Sequence, residues 1–282
     1  MNITKTRIKI GLEKPFRALH MSDNHIALAD ERDDARKIEL AEGRTRAFNH
    51  GKTGNIAVEE YERQLDYARA HRLPILYTGD LCDFVSYKNL DYARDTLRDF
   101  DYFMAVGNHE FSLYVGEAFE DAAYRNQSLD RVQAAFKNPI RFASRKVNGI
   151  NLVALDDSYY RIEEEQLVAL RREAALGLPI VLLMHNPLHE QKLYDIMLHE
   201  KRQGCAYLTG TPESLMGDYP PDRLVQQRPD EVTREAVEYI CAEPCIRAIL
   251  AGHLHFDYEG MVAGRIPQLV TGIGSAREIT IL

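Results

Sequence analysis

Apolar residues along this chain gather into short runs that end abruptly on Asp, Gly, Asn or His, and stretches with a helical period separate the runs. Residues 16–22, 74–78, 102–106, 151–155, 179–184 and 246–251 are strand-sized and rich in aliphatic and β-branched side chains, so they read as strands. Residues 57–72, 89–99, 163–175 and 230–241 carry apolar positions three and four apart and read as amphipathic helices. The alternation predicts a layered α/β fold. Past Gly252 the pattern changes to short strands between Gly and Pro turns, clearest at 261–262, 268–270 and 278–281, and the end of the chain is expected to close a sheet edge. Two segments fit neither period: 26–55, dense in charge and containing Asn49-His50-Gly51-Lys52-Thr53-Gly54, and 203–229, with four prolines. Loops of that length act as lids or binding loops, or are disordered.

Bulk properties narrow the class. With 282 residues the chain is expected to form one domain, 1–282, with insertions at about 26–55 and 203–229. Hydrophobic residues at 45% and charged residues at 28% suit a folded globule with a sizeable core. Lys and Arg number 35 against 43 Asp and Glu, a net charge of −8, so no global field draws in nucleic acid or anionic lipid. No apolar stretch approaches the roughly 20 residues that cross a bilayer. The amino-terminal residues 1–16 are basic but lack the apolar segment of a secretory signal, so the cytoplasm is the expected compartment. Cys82, Cys205, Cys241 and Cys245 are too few and too irregularly spaced for a disulfide framework; reduced thiols are expected.

The polar strand ends carry the chemistry, because ligands of open α/β sheets collect beyond the carboxyl ends of the strands. Asp23-Asn24-His25 follows the first strand, and its i, i+2 spacing in extended chain points a carboxylate and an imidazole the same way. Gly79-Asp80-Leu81-Cys82-Asp83 follows the second strand and Gly107-Asn108-His109-Glu110 the third. His185 ends the run 179–184, and Gly252-His253-Leu254-His255 follows 246–251. Each block alone is weak; five strand ends that all offer oxygen or nitrogen donors point to a metal centre. Mixed carboxylate, amide and imidazole ligands suit Mn, Fe or Zn better than Ca or Mg.

In this order the five blocks resemble the calcineurin-like metallophosphoesterase family, from Asp23 to His255 with no motif residue missing. The resemblance implies a four-layer sandwich in which two mixed β-sheets are flanked by helices. It implies two divalent or trivalent ions, one held by Asp23, His25, Asp80 and His255, the other by Asp80, Asn108, His185 and His253, with Asp80 as the bridge. It further implies hydrolysis of a phosphoester by a hydroxide shared between the ions, with His109 as proton donor to the leaving oxygen and Asp83 orienting or acidifying it. Two ions roughly 3.5–4 Å apart can lower the pKa of a shared water and clamp phosphate oxygens. Secreted purple acid phosphatases, which resemble the pattern, place a tyrosine ligand where Asp83 stands, and Asp83 argues against them.

The expected substrate is a small soluble phosphomonoester or phosphodiester; a phosphoprotein or nucleic acid is the alternative, and a non-catalytic scaffold sits poorly with an intact ligand set. Arg44, Arg46, His50 and Lys52 in the first insertion are candidates for closing over an anion. Tyr159 and Tyr160 are candidates for stacking on a substrate ring or lining the core rim. Gly272-Ile273-Gly274-Ser275 is read as a turn, His20 as a core histidine, and His71 and His199 as helix-surface residues.

Overall fold

The structure, a computed structural model, describes residues 2–51, 53–116 and 121–282. Eleven strands lie among them: β1 Asn2–Ile8, β2 Phe16–Met21, β3 Ile75–Thr78, β4 Tyr102–Ala105, β5 Phe142–Val147, β6 Ile150–Leu155, β7 Ile180–Leu183, β8 Ile246–Ala251, β9 Tyr258–Val262, β10 Ile266–Val270 and β11 Ser275–Ile281. The helices are α1 Ala35–Phe48, α2 Ile56–His71, α3 Tyr87–Leu97, α4 Ala122–Asn126, α5 Leu129–Gln133, α6 Glu164–Ala174, α7 Gln191–Asp195, α8 Pro221–Gln227 and α9 Glu231–Ala242.

The strands form two mixed sheets, ordered β1-β11-β2-β3-β4 and β5-β6-β7-β8-β10-β9. Alternation along the strands dictates the layers. In β2, Phe16 and Ala18 face the second sheet while Leu19 and Met21 face α2 and α3. In β7, Val181 and Leu183 face the first sheet while Ile180 and Leu182 pack under α6 and α9. β3 and β7, inside their sheets, are buried along their whole length, as expected of sheets covered on both sides. Helix, sheet, sheet and helix therefore stack in the α/β sandwich that the motifs imply.

Three expectations are corrected. Residues 26–55 are not without regular structure, because α1 occupies nearly half of the segment, capped by Asp34 accepting from the Lys37 backbone. Its helical period is hard to read because only Lys37 and Ala41 are buried; the helix is anchored by polar contacts and by Phe84 against Ala27 and Ala41. The last strand does not close an edge either: β11 lies inside its sheet, parallel to β1 and antiparallel to β2, and β1 is the edge. Residues 203–229 hold α8 and a 3₁₀ turn, Glu213–Leu215, and bury Cys205, Leu208, Met216 and Tyr219 against Leu254 and Val270. Among the described residues no helix is long and apolar enough to cross a membrane.

Candidate metal centre

The loops after β2 and β3 run side by side beyond the sheet. Asp23 N donates to Gly79 O at 3.0 Å and His25 N to Asp80 O at 2.9 Å, so pairing brings Asp23 and His25 beside Asp80. Gly252 N donates to His185 O at 3.0 Å, which aligns the loops after β7 and β8 in the same way. Asp23, His25, Asp80, His253 and His255 all adopt the left-handed region, with φ of 55°, 49°, 56°, 70° and 61°. Such backbone is costly for residues with a Cβ, and its clustering at one site marks geometry held for function. Gly107 and Gly252 permit the close approach, since a Cβ on either would fall on the carboxylate of Asp80 or Asp23 respectively.

Two donor groups result. Asp23, His25, Asp80 and His255 converge in one, and Asp80, His185 and His253 in the other. In the first, His25 Nε2 lies 2.9 Å from His255 Nε2, 3.8 Å from Asp23 Oδ1 and 3.6 Å from Asp80 Oδ2. In the second, His185 Nε2 lies 3.1 Å from both Asp80 Oδ2 and His253 Nδ1. Donors bound at about 2.0–2.2 Å to a common ion stand at such separations. Asn108 borders the same cavity. The donor set thus fits two metal ions, with Asp80 in both groups, while Asp80 Oδ1 accepts from the His109 backbone. A third convergent group, His25, Asp83 and His109, is a hydrogen-bonded network whose His25 Nδ1 is already engaged by Asp83.

Outer contacts set each ring. His185 Nδ1 bonds to Thr78 O at 2.7 Å and His25 Nδ1 to Asp83 Oδ1 at 2.9 Å, leaving both Nε2 atoms for the centre. The Tyr160 hydroxyl meets His253 Nε2 at 2.6 Å. Partners of this kind fix ring orientation and tune ligand basicity. Glu110, buried behind the site, accepts from the backbone of Asp80, Cys82 and Gly107 and so ties the loops after β3 and β4 together. The motif contains Glu110, but this role depends on contacts that spacing alone does not reveal.

Electrostatics follow from the crowding of buried charge. Burial opposes ionisation of Asp80, but the His185 and His109 imidazoles outweigh it and hold its carboxyl well below the usual range. Burial lowers the pKa of His185, whereas Asp80 and Asp23 raise it, for a net value of about 10. His109 likewise reaches about 10, burial being overcome by Asp80 and Asp83. His255 falls to about 4 through burial and the neighbouring His25.

The other candidates divide. Arg44 reaches the centre by pairing with Asp83. Arg46 is exposed, paired with Glu42, and lines a neighbouring pocket along α1; His50 is exposed, and Lys52 lies outside the described residues. Tyr160 borders the cavity through its bond to His253, whereas Tyr159 packs against Phe111 in the core. His20 is buried between Thr78 and Thr271, its pKa lowered to about 3 by burial and Arg277.

A cavity of about 390 Å³ opens over Asp80, His109 and His253, and its far wall is Met197, Gln203, Tyr207, Arg223 and Gln226. Sequence reasoning missed this wall because 203–229 shows no period and folds over the site through its own apolar cluster. A larger cavity, about 780 Å³, lies at the opposite strand ends beside Arg7 and Arg247, away from the donor groups.

A family model described as calcineurin-like phosphoesterase matches residues 16–257. None of the curated proteins matches the chain. Among solved structures, a dimetal phosphatase from Danio rerio is similar at 13% identity and a TM-score of 0.47, covering 92% of this chain and 88% of that one. A putative 5′-nucleotidase from Staphylococcus aureus has 14% identity and a TM-score of 0.42 over 93% of this chain and 49% of that one. A phosphopantetheinyl hydrolase from Mycobacterium tuberculosis has 12% identity and a TM-score of 0.44, covering 95% and 90%.

Proposed function

The chain belongs to the calcineurin-like phosphoesterase family, and on that premise we propose that it is a two-metal phosphohydrolase of a small soluble phosphomonoester or phosphodiester. The observation that carries this reading is that the Asp80 carboxylate belongs to both donor groups. When bound, two ions of the Mn, Fe or Zn kind would supply an activated water and offset charge on the phosphoryl oxygens. Asp23, His25, Asp80 and His255 would hold one ion, and Asp80, Asn108, His185 and His253 the other.

The chain's own groups do the rest. His109 Nδ1 is tied to the Asp83 backbone carbonyl at 2.8 Å, which leaves Nε2 for proton transfer to the leaving oxygen. The Asp83 carboxylate, with Oδ1 3.2 Å from His109 Nδ1, favours the protonated ring that this transfer requires. Phe48 stacks on His25 at 5.2 Å between centroids and covers that ring. A cavity of about 390 Å³ suits a small substrate, within the usual range of about 300–1,000 Å³ for such sites. The net charge of −8 gives no general counterpart for nucleic acid, so a nuclease or phosphoprotein phosphatase is the second reading.

Turnover of p-nitrophenyl phosphate and bis-p-nitrophenyl phosphate by protein loaded with Mn, Fe or Zn tests the proposal. Metal-dependent hydrolysis that a chelator abolishes is expected, and the ratio of the two rates separates monoesterase from diesterase. No turnover with any of the three metals contradicts the reading.

A further inference from the structure

Among the described residues lining the catalytic cavity, Arg223 is the only Arg or Lys. It stands on α8, whose start is set by Pro220 and Pro221, and it lines the same cavity as Asp80, His109 and His253. Its Nη1 donates to Gln226 Oε1 at 2.9 Å, and its guanidinium carbon lies 5.8 Å from the Tyr207 ring centroid. The Tyr207 ring in turn meets His253 edge-on, 5.9 Å between centroids. Arg223 is thus one aromatic ring away from a metal ligand, with its side chain braced on two sides.

The charge pattern gives this cation a purpose. Two metal ions already match the charge of a scissile phosphate. The nearest carboxylate to Arg223, Asp222, lies 3.5 Å from Nε and is 65% exposed, on the solvent side. Among the described residues the hydrogen bonds and ion pairs engage Nη1 and Nε and leave Nη2. Gln203 borders the same cavity and adds an amide that can donate to an oxyanion.

We propose that Arg223, with Gln203 beside it, forms a subsite for a second anionic group of the substrate, separated from the scissile phosphate by a short spacer. The substrate class is then phosphate esters bearing a further phosphoryl or carboxylate group. This rests on the phosphohydrolase reading for the position of the scissile group, and the test below is independent of turnover.

Calorimetry on the Mn-loaded protein would compare butylphosphonate, 4-phosphonobutyrate and butane-1,4-diphosphonate, which differ only in the second group. One or both two-anion probes should bind about fivefold to tenfold more tightly than butylphosphonate, the modest gain expected for a partly exposed charge-assisted contact. Which probe gains identifies a carboxylate or a phosphoryl as the second group. The advantage should vanish in Arg223→Gln and return in part in Arg223→Lys, which restores charge without the planar fork. Circular dichroism of both variants verifies folding, which this half-exposed side chain does not control. Equal affinities for all three probes in the unmodified protein, or an advantage that survives in Arg223→Gln, would overturn the proposal. Ester hydrolysis together with either of those results removes the subsite alone; loss of the advantage in a protein that hydrolyses no ester removes the catalytic reading and keeps the subsite.

Discussion

Arg44 grips Asp83 with two hydrogen bonds, Nε to Oδ2 at 2.5 Å and Nη2 to Oδ1 at 2.9 Å. The same carboxylate accepts from His25 Nδ1 at 2.9 Å and lies 3.2 Å from His109 Nδ1. One side chain of α1 therefore steadies both a ring of the donor set and the ring assigned to proton transfer. Arg44→Met strands a buried carboxylate and should reduce metal affinity or turnover by about 10- to 100-fold. Arg44→Lys should recover only part, because an ammonium cannot form the two-pronged contact. Metal titration and kcat on the same preparations measure this; values for Arg44→Met within twofold of the unmodified protein contradict it.

For His109→Ala the effect should depend on the leaving group. Metal content should stay normal, since the side chain belongs to neither donor group that contains Asp80. Hydrolysis of an alkyl phosphate ester should fall by about 10²- to 10⁴-fold, while that of p-nitrophenyl esters falls much less, because nitrophenolate departs without a proton. Equal losses on both substrates would instead make His109 a clamp on phosphoryl oxygens.

The metal-free protein should lose stability as pH rises through the alkaline range. His185 and His109 titrate near 10 in the folded chain and near 6.5 when unfolded, so their contribution is fully present below about 6.5 and declines toward 10. Metal binding to His185 requires loss of its proton and removes that part of the dependence. Thermal melts between pH 6.5 and 9 should show a falling Tm for the chelated protein and a flatter profile for the metal-loaded one. Parallel profiles would mean that the His185 proton is not exchanged for metal.

The central strands and the donor residues are legible in the sequence for one reason: each apolar run buried on both faces must end where the chain leaves the core, and there the polar residue stands out. Asp23, Asp80, Asn108, His185 and His253 are all visible in this way. The edge strands β1 and β5 are not, because they keep one face in solvent and interleave Lys, Arg, Ser and Thr with their apolar residues. Helix α1 is hidden by charge and held by Arg44, whose partner Asp83 lies 39 positions along the chain. The cavity wall at Tyr207 and Arg223 is illegible for a related cause, since packing of Leu208, Met216 and Tyr219 against Leu254 and Val270, distant in the sequence, brings that segment over the metal centre. Local period reveals burial; it carries no signal for contacts made across the sheet ends.

The account depends most on Asp80, whose Oδ2 stands 3.1 Å from His185 Nε2 and 3.6 Å from His25 Nε2. Asp23 serves one donor group only, and its carboxylate also accepts from the His253 backbone, a bond that an Asn oxygen can keep. Metal content per chain, measured by mass spectrometry after loading with Mn or Zn and removal of free metal, should be two in the unmodified protein. Asp23→Asn should retain one ion and Asp80→Asn should retain neither. One ion or none in the unmodified protein, or equal losses in the two variants, would contradict a shared carboxylate between two metals.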